Sequence, residues 1–175
     1  MNNSEAKMEK FSRLIDNVTE ISGNIISWAT SLLVLIVVVD VTARYLFSES
    51  SVALQELEWH LFAFIFLGAG AYTLKHDEHV RVDLFYSKWS ERKKAILNIA
   101  GVMVFLLPFA IIAIISSVDF ISASFRFGET SPDPGGLPAR YIIKSLLPVS
   151  FLLILLQGIV IILKSVKVLT SGDKK

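Results

Sequence analysis

Four long apolar stretches constrain what this chain can fold into. Ile21–Val41, Trp59–Leu74, Ala95–Val118 and Tyr141–Leu163 hold 21, 16, 24 and 23 residues, and a helix needs about 20 to cross the roughly 30 Å hydrocarbon layer of a bilayer. The second stretch is short alone, about 24 Å at 1.5 Å per residue, but Val52, Leu54 and Leu57 lie just ahead of it and extend it by a turn or two. Runs such as Leu32–Val39 and Ile159–Leu163 carry no polar stripe, which a helix in a water-soluble bundle needs. With 53% hydrophobic and 19% charged residues, the composition is shifted toward lipid from the roughly 45–50% and 25% of soluble domains. The fold class expected is therefore an all-α integral membrane protein with four transmembrane helices. It forms a single membrane domain over residues 1–175, with spans at about 21–41, 52–74, 95–118 and 141–163. Cysteine is absent, which excludes disulfide scaffolds, thiol redox chemistry and thiolate metal sites.

The connections add short amphipathic surface helices to this expectation. Met1–Glu20 is polar, with Phe11, Leu14, Ile15 and Val18 at helical intervals, a pattern suited to a helix lying on the membrane surface. The first apolar stretch is too long for the core of a cleavable signal peptide and no small-residue cleavage site follows it, so it reads as a retained span. Val82, Phe85, Tyr86 and Trp89 follow the spacing of a second amphipathic helix over about 80–90, after which Ser90 is a candidate N-cap with Glu91 in the favourable first turn. Pro108 removes one backbone hydrogen bond from the third span and is expected to kink it. Residues 128–140, with three of the five prolines and three of the nine glycines, form a shaped loop rather than regular structure.

Orientation follows from lysine and arginine placement. With four spans, the amino-terminal segment, the connection after Leu74 and the carboxy-terminal tail share one side and carry thirteen such residues, against four on the other. Both termini are therefore expected in the cytoplasm, and the proline-glycine loop outside.

Few residues offer chemistry. Segments outside the spans do not exceed about 22 residues, which leaves no room for a separate catalytic domain. Asp40 and Arg44, four apart, can pair at the end of span one, and Glu56 and His60 can do so at the mouth of span two. Gly68, Ala69, Gly70 and Ala71 form a small-residue patch for close helix approach, within the chain or against a partner. His76, Asp77, Glu78 and His79 look metal-like, but zinc sites need a third or fourth ligand held by a second shell. No charge lies deep in the four stretches, where an ion path would place one. Read from residues alone, this is a structural membrane subunit.

Several segments together resemble the small membrane subunit of tripartite ATP-independent periplasmic (TRAP) transporters. They are Arg44-Tyr45-Leu46-Phe47 after span one, the acids Glu56 and Glu58 before span two, and Phe66-Leu67-Gly68-Ala69 followed by His79-Val80-Arg81-Val82-Asp83. The proline-containing loop and Leu147-Pro148 fit as well. The resemblance implies a non-catalytic, multi-pass protein of the bacterial inner membrane, without a cofactor or nucleic-acid partner. It implies that the chain braces a large TRAP membrane subunit and helps dock a periplasmic substrate-binding protein for sodium-driven uptake of an organic acid or related solute. The candidate partner interface comprises Asp40, Arg44, Glu56, Glu58, Gly68, Gly70, His79, Asp83 and Arg140. Alternatives are a four-helix haem or quinone anchor of a membrane oxidoreductase, which needs histidines inside the spans where only His60 is near one, and a small autonomous four-span carrier.

Overall fold

The computed structural model describes residues 3–76 and 89–171, with only the backbone at 3–5 and 171. Every regular element among them is helical: α1 (Asn3–Leu46), α2 (Val52–Lys75), α3 (Glu91–Gly101), a π-helical turn (Val102–Leu106), α4 (Leu107–Arg126), α5 (Tyr141–Lys144) and α6 (Leu146–Ser171). They join into four rods long and apolar enough to cross a membrane: Ala6–Leu46, Val52–Lys75, Glu91–Arg126 and Tyr141–Thr170.

The first rod corrects one expectation. The amino-terminal segment is not a separate surface helix but the opening turns of α1, a continuous helix of 44 residues. The reason is polar satisfaction from neighbouring helices rather than from headgroups. Asp16 accepts from Gln157 at 3.2 Å and from Lys164 at 2.8 Å, Thr19 donates to Gln157 at 3.0 Å, and Glu20 pairs with Lys75. Farther along, Ser22, Ser27 and Thr30 donate to carbonyls three or four residues back, so the hydroxyls are satisfied without water. The helix ends at Leu46, and two residues on Ser48 is left-handed, with a φ of 54°. Ser51 then caps α2 by accepting from the Leu54 N–H at 3.4 Å.

Two prolines mark the irregularities of the other rods. Before Pro108 the backbone widens into the π turn, where the Leu107 N–H reaches the Val102 carbonyl. The wider turn accommodates a proline that can neither donate nor tolerate the carbonyl of a regular preceding turn. Before Pro148 the fourth rod breaks for one residue, between α5 and α6. Ser90 does occupy the N-cap of α3, in extended conformation, but its side chain makes no capping bond. The amphipathic helix expected at about 80–90 falls mainly in 77–88, outside the described residues.

Helix α6 is the hub: it packs along α1, α2 and the α3–α4 rod, whereas among the described residues that rod makes no extended packing against α1 or α2. Close approach depends on glycines facing larger partners, Gly23 against Tyr72, Gly68 against Ile26, Gly70 against Ile154 and Gly158 against Leu106. Polar groups sit inside with small apolar ones: Thr19, Asp40 and Gln157 are as buried as Ala110 and Val160, while Trp28, Phe66, Phe105 and Phe109 face outward. That arrangement is the reverse of a soluble core and suits a solvent of lipid and partner helices.

Candidate functional site

At the end of the bundle away from the termini, one carboxylate organises the loop of residues 128–140. Glu56, on the first turns of α2, is 5% exposed. It accepts from the Ser131 hydroxyl at 2.5 Å, the Leu137 N–H at 2.5 Å and the Arg140 guanidinium at 2.9 Å. The loop backbone closes on itself beneath this clasp, with Ser131 N–H to the Leu137 carbonyl at 3.1 Å and Arg140 N–H to the Glu129 carbonyl at 3.0 Å. Gly136 is required by the geometry, since a Cβ there would stand 2.3 Å from the Ser131 hydroxyl and 2.8 Å from Glu56 Oε2.

A second clasp flanks the first. Glu129 pairs with Lys144, whose ammonium lies 3.9 Å from the centre of the Phe120 ring, a cation–π contact. The Arg140 guanidinium sits 5.6 Å over Trp59, which stacks on His60 at 4.0 Å. His60 Nδ1 is 2.5 Å from the backbone carbonyl of Glu56, so the expected Glu56–His60 contact goes through the backbone and leaves the carboxylate to the loop. One oxygen of Glu58 and Nε of Arg140 are buried without a hydrogen-bond partner among the described residues.

The remaining candidates separate into groups. Asp40 is 2% exposed and pairs with the half-exposed Arg44 on the last turns of α1. Gly68 and Gly70 lie mid-bundle and face Ile26 and Ile154 of this chain, so their approach is intramolecular. His79 and Asp83 lie outside the described residues, as do Asp77 and Glu78 of the metal-like cluster. His76 is described, and it bonds Glu20 at 3.1 Å. Sequence reasoning missed Ser131, Gly136 and the Leu137 N–H, which are ordinary loop groups until Glu56 is placed among them.

Residues 33–168, well over half of the chain, match the family described as tripartite ATP-independent periplasmic transporters, DctQ component. The chain belongs to this family. No individual curated protein matches it. A DctQ chain is one component of a tripartite transporter that also comprises a large membrane subunit and a periplasmic binding protein, and four apolar rods make this one a multi-pass membrane protein. The match begins within α1, so the turns carrying Asp16, Thr19 and Glu20 lie ahead of the DctQ region.

Acid should loosen the second clasp. The hydrogen bond from Lys144 is the chief cause holding the Glu129 carboxyl below its ordinary value of 4.5. A depressed folded-state pKa means that the pair stabilises fully above about pH 4.5 and ceases to as the pH falls through the folded-state value. Exchange of the Arg140 amide, corrected for its intrinsic rate, is expected to accelerate on acidification below that point. Glu129→Gln is expected to reduce the acceleration, with protonation of Glu56, which also holds the loop, accounting for the remainder; an undiminished acceleration would place the titrating group elsewhere.

Proposed function

We propose that this chain is the non-catalytic small permease subunit of a TRAP transporter in the bacterial inner membrane. It braces the large membrane subunit and presents the 128–140 loop to the periplasmic binding protein during sodium-driven uptake of an organic acid or related solute. The observation that carries this reading is the Glu56 clasp, a buried carboxylate given over to holding a loop in one shape. A preshaped loop binds without first losing conformational entropy. The exposed loop residues Thr130, Pro132, Asp133 and Pro134 are the surface offered to the docked protein. Asp40 and Arg44 lie at the same end, while the outward apolar residues meet the large subunit and lipid.

The positive-inside asymmetry, thirteen basic residues against four, supports a topology with both termini in the cytoplasm and the loop in the periplasm. Because cysteine is absent, a cysteine placed at Asp133 should label with an impermeant maleimide in spheroplasts with an intact inner membrane, and one at Lys174 only after lysis. The reverse pattern would invert the topology. Co-purification tests the assembly: the tagged full chain is expected to bring down a large multi-spanning subunit in near-stoichiometric amount. Stable homo-oligomers transporting solute in liposomes without that subunit would overturn the scaffold reading.

A further inference from the structure

We propose that the cleft between the first turns of α1 and the last turns of α6 binds the headgroup of an anionic phospholipid. The cleft has a volume of about 520 Å³, with Met8, Leu163 and Val166 supplying apolar surface and Arg13, Lys164 and Lys167 supplying charge. Its depth matches the headgroup layer. Leu163 ends the apolar stretch of the fourth rod and Thr170 is seven residues further, about 10 Å along a helix. The polar layer extends about 5–8 Å beyond each face of the hydrocarbon core. The walls thus begin where acyl chains end and pass through the level of the lipid phosphates.

Charge decides which lipid fits. Arg13 bonds Glu9 at 2.6 Å and Lys164 bonds Asp16 at 2.8 Å, so each acid in the wall already has a cation. Lys167 has no hydrogen-bond or ion-pair contact among the described residues and acts on Glu9 only at longer range, and with three cations against two acids in the lining the cleft carries one positive charge in excess. Arg13 is 75% exposed and uses one of its five donors on Glu9, leaving others for a phosphate. A phosphodiester would take Lys167 as counter-charge and Arg13 as donor, with its acyl chains running down past Leu163. A zwitterionic headgroup would instead bring its own ammonium toward Lys164 and Lys167. The α1 wall precedes the residues that match the DctQ family, so membership alone does not imply this site.

The test is native mass spectrometry of the full chain in detergent, titrated with phosphatidylglycerol, phosphatidylcholine and inorganic phosphate. Phosphatidylglycerol is expected to bind more tightly than phosphatidylcholine. Lys167→Gln and Arg13→Gln are each expected to weaken its binding about fivefold, and both together roughly 25-fold, the effect of one basic group per substitution beside an anionic lipid. Arg126→Gln, at the opposite end of the bundle, is expected to leave binding unchanged. Equal affinity for the two lipids, an effect of Arg126→Gln as large as that of Lys167→Gln, or displacement of the lipid by millimolar phosphate would overturn the proposal. A photo-cross-linker at position 167 that captured a protein subunit rather than lipid would also overturn it.

Discussion

Replacing Gly23 by leucine is expected to yield little monodisperse folded protein, more damage than the same change at Gly68, Gly70 or Gly158. A Cβ on Gly23 would lie 2.2 Å from Tyr72 Cδ2 and 2.4 Å from Cε2, whereas the nearest obstacles at the other three are terminal methyls of Ile26, Ile154 and Leu106 at 2.7–2.9 Å. A methyl can rotate aside; a ring in close contact with its neighbour cannot do so freely. The Tyr72 ring lies 4.4 Å from that of His76, and His76 bonds Glu20 of α1. Relief would therefore require α1 and α2 to part, drawing Lys75 away from Glu20 and from the Asp16 carbonyl it bonds at 2.9 Å. Overpacking alone costs about 1–3 kcal/mol, and loss of these contacts adds to it. The apparent thermal midpoint should fall by about 10 °C or more, at about 2–4 °C per kcal/mol for a chain of this size. Tyr72→Ala in the same chain is expected to restore much of the loss, because the leucine then fills the vacated space. A Gly23→Leu protein as stable as Gly68→Leu, or a double variant no better than the single, would remove Gly23 from its place in the packing.

How much of this was legible beforehand differs by feature, for physical reasons. Span number is written in composition, since a helix facing lipid must be apolar over its whole length. The length of α1 was not, because residues 3–20 have the amphipathic pattern of a surface helix. Only the positions of Gln157, Lys164 and Lys75 on other helices show where Asp16, Thr19 and Glu20 find partners. The small-residue patch marked Gly68 and Gly70 as close-packing positions, but sequence could not choose between an intramolecular and an intermolecular neighbour. Gly23 carried a weaker signal, a lone glycine between Ser22 and Asn24. Glu56 was singled out as an acid at the mouth of a span. Its partners lie 75 to 84 residues away in a loop without periodicity, so no local pattern announces the clasp.

Glu56→Ala is expected to release the 128–140 loop while leaving the helices assembled. The substitution deprives the Ser131 hydroxyl, the Leu137 N–H and the Arg140 guanidinium of a shared acceptor. Removing one member of a buried ion pair costs about 3–5 kcal/mol; Arg140, 23% exposed, can turn partly to water, which favours the lower end. Helix packing rests on the glycine contacts and the polar lock around Asp16, so far-UV helicity should change little. The loss should appear as faster exchange at the Ser131 and Arg140 amides, whose bonds to Leu137 and Glu129 close the loop. Glu56→Gln separates shape from acceptor capacity. It keeps the volume but turns one acceptor oxygen into a donor facing either Leu137 N–H or Ser131 and Arg140, so it should loosen the loop nearly as much as alanine. If the loop is the docking surface, both variants should weaken capture of the periplasmic binding protein at least tenfold, the equivalent of about 1.4 kcal/mol. Glu58→Gln should weaken capture with the loop still protected, because that carboxylate bonds no loop atom among the described residues and its side chain is only partly buried. Unchanged amide protection in Glu56→Ala would refute the clasp itself. Lost protection with undiminished capture would leave the clasp standing and move docking away from this loop.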